Sequence, residues 1–406
     1  MTRESPGALG SIRVLDLSDE SGVYGAKLLA DLGADVIRLE PPGGDPLRSR
    51  PPFLHDQPGP DRSLFFAYMN TSKRSVTLNL ATPDGRALFD RLAATADAVY
   101  FSGSAVAYDA LGLDALAARS PRLVVAAVTP FGLTGPFRDW SGNDLVAWAM
   151  GGLAYTLGDP DRPPLIPAPQ AKLSAILGSL FAALGTITAL RGRARLGRGQ
   201  RVDISLQESV LMASPESGVT PFLDDMIPRV RAGAKRPMTA PMGHYRTKDG
   251  YASVLALMPL HWQALSEWIY EKTGNEAALD ESLRGPGVNR SGGNWTVADL
   301  FTQDLADLYT KHELFEEGQR RGVAITPVND PASVADDPQL AERDYWTTIE
   351  VDGEPVRAPG PPYRLTGTPW RISRQPPRAG QHNAEVYGEL GLDAEELVRL
   401  AAAGVV

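Results

Sequence analysis

The chain has 406 residues, 43% of them hydrophobic, which is enough for a large core and predicts two or three domains. A net charge of −9 excludes an overall basic surface for nucleic acid, and the absence of cysteine excludes disulfides, thiolate metal ligands and a cysteine nucleophile. The N-terminus lacks the apolar run of a signal peptide, so we expect a cytoplasmic protein with no membrane partner.

The N-terminal part alternates strand and helix patterns. Segments 11–17 and 34–39 predict strands, and the apolar residues of segment 24–32 between them have helical spacing. Because parallel strands need such a crossover, these segments predict a βαβ unit. A doubly wound α/β domain therefore covers about residues 8–205. Its further predicted elements are strands at 75–80, 98–101 and 123–128 and a helix at 83–96.

Two other N-terminal segments have distinctive compositions. Segment 40–63 is punctuated by proline and glycine and is predicted to be a long loop. Segment 173–190 is apolar, but serine, threonine and glycine interrupt it. A membrane span of about 20 residues usually has fewer such breaks, so we predict a buried helix that is apolar nearly all round.

The pattern changes in the second half of the chain. Short apolar runs on either side of Asp249 and Gly250 predict a hairpin. Helical patterns follow, and together they predict a smaller α+β domain at about 225–330. Residues 206–224 and 331–364 are predicted to be linkers, and segment 359–377 is rich in proline and extended. The helical patterns lie at 261–272, 296–309 and 312–321, and a helix pair broken at Gly391 lies at 384–406.

Several short motifs, in order along nearly the whole chain, resemble those of the class III CoA-transferases. This family includes formyl-CoA transferase, carnitine CoA-transferase and a racemase branch. Each motif is weak alone, and the resemblance depends on all of them together. They are Val14–Ser18, Leu28–Pro41, Gly44–Pro46 with Arg48, Asn70–Val76, Phe131–Pro136, Gly197–Asp203, Gly322–Val328 and Leu390–Asp393.

The resemblance implies a Rossmann-like CoA-binding domain made of residues 1–205 and 365–406. It also implies an interlocked dimer, in which a thioester cleft is shared with the small domain of the other chain. CoA or acyl-CoA is the expected substrate and a carboxylic acid is the acceptor, with no metal. In the transferases of this family an Asp attacks the acyl-CoA, forming an enzyme anhydride and then an enzyme–CoA thioester.

The same resemblance implies the CoA-contact residues. The turn formed by Ser21, Gly22 and Val23 corresponds to the backbone that passes the pantetheine. Pro41, Ala81 and Ala110 stand where relatives have basic residues for the phosphates, and Arg48 is among the cations that could compensate. The remaining candidate CoA-binding residues are Arg38, Lys73, Arg74, Leu78, Leu80 and Ser102.

The attacking Asp itself is absent. No Asp or Glu occurs between Asp161 and Asp203, the interval where the resemblance implies it. Alignment from the preceding motif places that position at Leu173, and alignment from the following motif places it at Ala175. Neither side chain can form an anhydride.

Four side chains are candidates to replace the missing group. Asp144 matches an acidic position that supports the active site in transferases, although its simpler interpretation is a helix N-cap. Glu208 and Glu216 are alternative carboxylates. Lys172 is a candidate base for proton transfer next to a thioester.

Three functions stay open. The first is CoA transfer between acyl-CoA thioesters and carboxylic acids by a non-standard mechanism. The second is a non-catalytic subunit that supports an active paralogue. The third is an acyl-CoA isomerase, racemase or lyase, although Asn143 occupies the position of the racemase His. We expect a homodimer, with a heterodimer as the alternative, and the five His residues have no metal-ligand spacing.

Overall fold

The computed structural model describes residues 7–166, 172–213, 233–235, 240–285 and 293–406. They form two compact units. The large unit contains residues 7–153, 166, 172–213 and 340–406, and the small unit contains residues 154–165, 233–235, 240–285 and 293–339.

A six-stranded parallel sheet forms the centre of the large unit. The strand order is β3-β2-β1-β4-β5-β6, which is the Rossmann order, and every neighbouring pair is parallel. The central strands β4 and β5 are buried on both faces, which explains why their sequences are nearly continuous apolar runs. The predicted doubly wound α/β fold is confirmed. The strands are β1 Arg13–Leu17, β2 Asp35–Glu40, β3 Arg74–Thr77, β4 Ala98–Ser102, β5 Val124–Thr129 and β6 Arg201–Ser205.

Helices connect and cover these strands. Gly25 allows α1 to approach α7 closely, because a Cβ there would lie 2.6 Å from the carbonyl oxygen of Ser179. The helices are α1 Val23–Asp31, α2 Leu64–Met69, α3 Pro83–Ala94, α4 Ala105–Ala110, α5 Leu113–Arg119, α6 Asp144–Met150, α7 Leu173–Leu196 and α8 Leu206–Ala213. Helix α8 lies within the predicted linker 206–224, and the rest of that linker is outside the described residues.

The long apolar helix was predicted to be buried, and this prediction is wrong for one of its faces. Ser174 and Gly178 of α7 are buried, whereas Leu180 and Leu184 are 44% and 62% exposed. Small residues face the core because the helix approaches its neighbours closely: a Cβ on Gly178 would lie 2.5 Å from Leu206. Among the described residues, this helix alone is long and apolar enough to cross a membrane, but half of its apolar window is buried.

The predicted linker 331–364 contains regular structure. Two short helices, α12 and α13, precede a hairpin of strands β10 and β11. Asp352 and Gly353 form its turn, both with positive φ, as in the Asp-Gly hairpin turns whose sequence signal was overlooked. Ile349 of the hairpin packs against Leu54 and Ala67 in the large unit. The bounds are α12 Pro331–Ala335, α13 Pro338–Glu342, β10 Trp346–Val351 and β11 Glu354–Pro359.

The last segment of the chain returns to the large unit. Helix α14 (Asn383–Glu389) lies beside β3, and helix α15 (Ala394–Ala402) packs Leu397 and Leu400 against the core of the large unit. The Tyr387 hydroxyl donates to the Thr77 carbonyl at 2.6 Å, and the Asn79 amide donates to the Val405 carbonyl at 2.7 Å. Both bonds tie the C-terminal segment to the carboxyl end of β3.

The small unit is an antiparallel three-stranded sheet with helices. The buried side chains of Trp262, Leu265 and Trp268 form part of its core. Lys248 and Asp249 form the turn between β7 and β8, and Gly250 follows with a positive φ. The elements are β7 Met242–Thr247, β8 Gly250–Leu255, β9 Ala324–Pro327, α9 Pro259–Thr273, α10 Gly293–Ala306 and α11 Lys311–Arg320.

Candidate functional site at the carboxyl edge of the sheet

A cavity of about 400 Å³ lies over the carboxyl ends of β1, β2 and β3. It is next to the place where the strand order reverses between β1 and β4, which is where open α/β sheets bind their ligands. Three of the predicted CoA-contact residues, Arg38, Leu78 and Leu80, line it. The other lining segments are 17–20, 39–41, 45–47, Asn79 and Leu111.

A buried ionic network lies directly beneath this cavity. The Asp16 carboxylate accepts from the Arg38 guanidinium at 3.0 Å and from the Lys73 ammonium at 2.8 Å, and all three side chains are at most 3% exposed. The backbone amide and hydroxyl of Ser18 also donate to Asp16. Arg38 pairs in addition with Asp45, which is itself buried. Every member of the network therefore has charged or hydrogen-bonded partners.

Burial and pairing act in opposite directions in this network. Burial raises the pKa of Asp16, but the cations of Lys73 and Arg38 lower it by more than burial raises it. The resulting pKa is about 2. Burial lowers the pKa of Lys73 to about 8, although Asp16 opposes that change. Lys73 was predicted to contact a CoA phosphate, but in this structure its ammonium is sealed inside the domain.

The structure also places Arg74 and Arg48 in ion pairs. Arg74 lies at the amino end of β3, at the opposite edge of the sheet from the cavity. Its guanidinium binds Asp35 at 2.6 Å and holds helix α14 through Glu389. Arg48 makes a two-pronged pair with Glu40, with both distances 2.7 Å. These arginines hold the large unit together and do not reach the cavity lining, contrary to their predicted roles.

The predicted pantetheine turn lies beside the cavity. The Asp19 amide donates to the Ser102 hydroxyl at 2.8 Å, and that hydroxyl donates to the Asp19 carboxylate at 2.6 Å. Gly22 packs against Ser102 so closely that a Cβ would lie 2.6 Å from the serine Cβ. The end of β4 thereby fixes the turn formed by Ser21, Gly22 and Val23 at the start of α1.

Asp144 is not the N-cap of its own helix, contrary to the simpler interpretation of the sequence. Asn143 is the N-cap of α6, because its Oδ1 accepts from the Val146 amide at 3.1 Å. Asp144 instead reaches across to the start of α7. Its Oδ1 accepts from the Ser174 amide at 2.9 Å and from the Ser174 hydroxyl at 2.6 Å. The carboxylate therefore satisfies the amino end of α7, where the helix dipole favours negative charge.

An ion pair in the same place was overlooked by sequence reasoning. Lys172, with a left-handed φ of 44°, places its Nζ 3.2 Å from Glu20 Oε1. Arg50 donates to Glu20 Oε2 at 2.5 Å and stacks on the Phe65 ring. Glu20 is 40% exposed and lines the cavity. The sequence signal for Glu20 was its position immediately before Ser21, in the loop that follows the first strand.

The two aligned positions of the missing Asp lie at the start of α7, where Leu173 is exposed and Ala175 is buried. Glu208 is an exposed residue of α8, and Glu216 lies outside the described residues. Within the part of the chain that the structure describes, no group of three or more His, Asp or Glu side chains could hold a metal ion.

The small unit has its own cavity of about 500 Å³. Its lining includes Lys235 and His244, and the His244 ring accepts or donates a hydrogen bond to Ser253 at 2.8 Å. It has no carboxylate in its described lining, so it offers no replacement for the missing Asp.

The fold is that of an α/β protein of Rossmann strand order, with a cleft next to the switch point of its sheet. The family model for CoA-transferase family III matches residues 9–383, so the chain belongs to that family. Relatives in this family are named as enzymes, or subunits of enzymes, that transfer CoA from a CoA thioester to an acid.

Similar proteins cover the chain almost completely. The succinyl-CoA:(R)-benzylsuccinate CoA-transferase subunit BbsE of Thauera aromatica is 35% identical, over 97% of this chain and 97% of its own length. The formyl-CoA:oxalate CoA-transferase of Streptomyces avermitilis is 32% identical, over 98% of this chain and 99% of its own. A solved CAIB/BAIF family protein from Brucella suis is 28% identical with a TM-score of 0.82, over 95% of this chain and 100% of that one.

Proposed function

We propose that this chain binds an acyl-CoA thioester in the cleft at the carboxyl edge of its sheet and takes part in CoA transfer to a carboxylic acid. The observation that carries the proposal is the pairing of that cleft with the turn Ser21–Val23, which Ser102 and Gly22 hold in place. Backbone groups of such a turn can hydrogen-bond a pantetheine amide. Several relatives are named for succinyl-CoA, so succinyl-CoA is the first donor to test.

The charges of the cleft indicate how CoA is held. Arg38 is the one cation of the described cavity lining, and it is already engaged by Asp16, Ser18 and Asp45. The lining also carries the carboxylates of Asp19, Glu20, Glu40 and Asp45. Charge-assisted bonds to phosphate are the strong ones, and the described lining has no unpaired cation to make them. We therefore expect CoA affinity to depend on apolar and backbone contacts.

Calorimetric titration with CoA and succinyl-CoA, followed by a transfer assay with a panel of acids, tests this proposal. We expect saturable binding with succinyl-CoA preferred, and formation of a new thioester from at least one acid. Failure of both ligands to bind at millimolar concentration would contradict the proposal.

A second candidate function is a subunit that supports an active paralogue. The start of α7 has no carboxylate at either aligned position, and relatives named as subunits include BbsE and both subunits of a succinyl-CoA–L-malate CoA-transferase. Such a chain would contribute to an interlocked heteromer rather than the homodimer of our first expectation. Co-expression with a paralogue, followed by light scattering on the purified complex, tests it. A stable homodimer that transfers CoA alone would remove this candidate.

The third function, proton transfer by an isomerase, racemase or lyase, gains no support. Its candidate base, Lys172, is paired with Glu20. Loss of α-proton exchange on replacing Lys172 with Met would be needed to revive it.

A further inference from the structure

The reaction needs a carboxylate that can reach a thioester in the cleft. CoA transfer exchanges a thioester for a free acid, and an enzyme carboxylate can carry the CoA between them as a covalent intermediate. Asp144 does not line the cavity, and its Oδ1 is held by Ser174 at the start of α7. Glu208 is on α8 and does not line the cavity.

Glu20 meets the requirements that these side chains do not. It lines the cavity, it is 40% exposed, and it immediately precedes the turn expected to hold the pantetheine. Its two oxygens are oriented separately, Oε1 by Lys172 and Oε2 by Arg50. Lys172 is the residue before α7, so Glu20 reaches the neighbourhood of Leu173 and Ala175, the two aligned positions that supply no carboxylate.

We propose that Glu20 is the attacking carboxylate of this chain. The inference rests on the proposed function, CoA transfer in this cleft. Lys172 and Arg50 are positioning residues, and as donors they can also stabilise the negative charge that develops on the thioester oxygen.

The steps balance as follows. A Glu20 oxygen attacks the acyl carbon of the donor, and the C–S bond breaks. CoA leaves as its thiolate, and the acyl group stays on Glu20 as a mixed anhydride. The thiolate attacks the glutamyl carbon, which releases the donor acid and leaves a glutamyl–CoA thioester. The acceptor carboxylate attacks that thioester, the thiolate leaves again, and it then attacks the acceptor carbon. The product is the new acyl-CoA, and Glu20 is regenerated with one oxygen that came from the acceptor.

Isotope transfer tests this proposal in a way that a structural role for Glu20 would not affect. The protein, in the homomeric or heteromeric form in which it purifies, turns over succinyl-CoA with an acid whose carboxylate carries ¹⁸O. The peptide that contains Glu20 is then analysed by mass spectrometry. We expect ¹⁸O in Glu20 of the wild-type protein, and a hydroxamate at Glu20 when hydroxylamine is added during turnover.

Three variants complete the experiment. Glu20→Gln keeps the shape but removes the nucleophile, and we expect transfer to fall by at least about 10³-fold with CoA affinity little changed. Glu20→Asp keeps a carboxylate on a shorter side chain, and we expect measurable label at that position. Glu395→Gln alters an exposed glutamate of α15 and serves as the matched control with wild-type transfer.

The outcomes separate this inference from the proposed function. Transfer with no label at Glu20, or full transfer by Glu20→Gln, overturns the role of Glu20 and leaves CoA transfer standing. Binding of CoA without transfer, or label found only in a paralogue, overturns it and favours the supporting subunit. Absence of CoA binding ends both proposals.

Discussion

Two groups of charged side chains lie at the same edge of the parallel sheet and differ in their access to solvent. Asp16, Arg38 and Lys73 form a sealed group in which each side chain is at most 3% exposed, whereas Glu20 lies 40% exposed between Lys172 and Arg50. Both groups consist of carboxylates and cations a few ångströms apart.

Burial, and not residue type, therefore decides what a charged cluster does. A sealed pair cannot exchange partners without leaving a charge uncompensated in a medium of low polarity, so it serves the fold. A half-exposed group is screened by solvent, costs little to rearrange, and can reach a ligand.

The largest effect is expected from breaking the sealed group. Asp16→Asn leaves the Lys73 ammonium buried without its carboxylate, and we expect a loss of about 3–5 kcal/mol in the free energy of unfolding. Urea unfolding followed by circular dichroism measures it. Asp90→Asn, in the exposed pair of Asp90 with Arg119, is the control and should leave the midpoint unchanged. Equal effects of both variants would contradict the comparison.

Acid should reveal the same group through its pKa. The pKa of Asp16 is lowered to about 2 in the folded state, so its contribution is fully present above the ordinary value near 3.8 and disappears as pH falls through about 2. The contribution is about 2 kcal/mol. Unfolding measured from pH 5 to pH 2 should show a stability loss that is smaller by this amount in Asp16→Asn. Parallel pH curves for the two proteins would refute it.

A smaller effect is expected at the start of α7, next to the half-exposed group of Glu20 and Lys172. Ser174→Ala removes the hydroxyl that donates to Asp144 but keeps the amide bond, and we expect a loss of about 1 kcal/mol in unfolding free energy. Asp144→Asn keeps an acceptor oxygen and loses the charge, so comparing the two variants in urea separates hydrogen bonding from the helix dipole. No change in either variant would mean that the start of α7 does not need Asp144.

The smallest effect concerns the CoA phosphates. Because Arg38 is the one described cation of the cavity lining and is already paired, removing the 3′-phosphate of CoA should cost little. We expect dephospho-CoA to bind within about threefold of CoA, a difference below about 0.7 kcal/mol in calorimetry. A tenfold or larger loss would show that a phosphate-binding cation lies elsewhere in the chain.

Sequence reasoning succeeded for elements with strong local patterns. The strands and helices that were predicted in the doubly wound domain occur within a few residues of their predicted bounds, because buried strands such as β4 and β5 are apolar runs. It failed for the hairpin around Asp352 and Gly353, whose strands are half polar because one face is exposed. It also failed for the exposed face of α7, because overall apolarity does not identify which side packs.

At the candidate site the sequence alone determined the family, the turn at Ser21–Val23 and the absence of an acid at the start of α7. The sequence could not show which charged residues border the cavity, since Lys73, Arg74 and Glu20 are all charged residues of the same domain. In the folded chain, Lys73 and Arg74 are held in ion pairs, and Glu20 borders the cavity. The physical reason is that burial and pairing depend on side chains distant in sequence, such as Asp16 for Lys73 and Lys172 for Glu20.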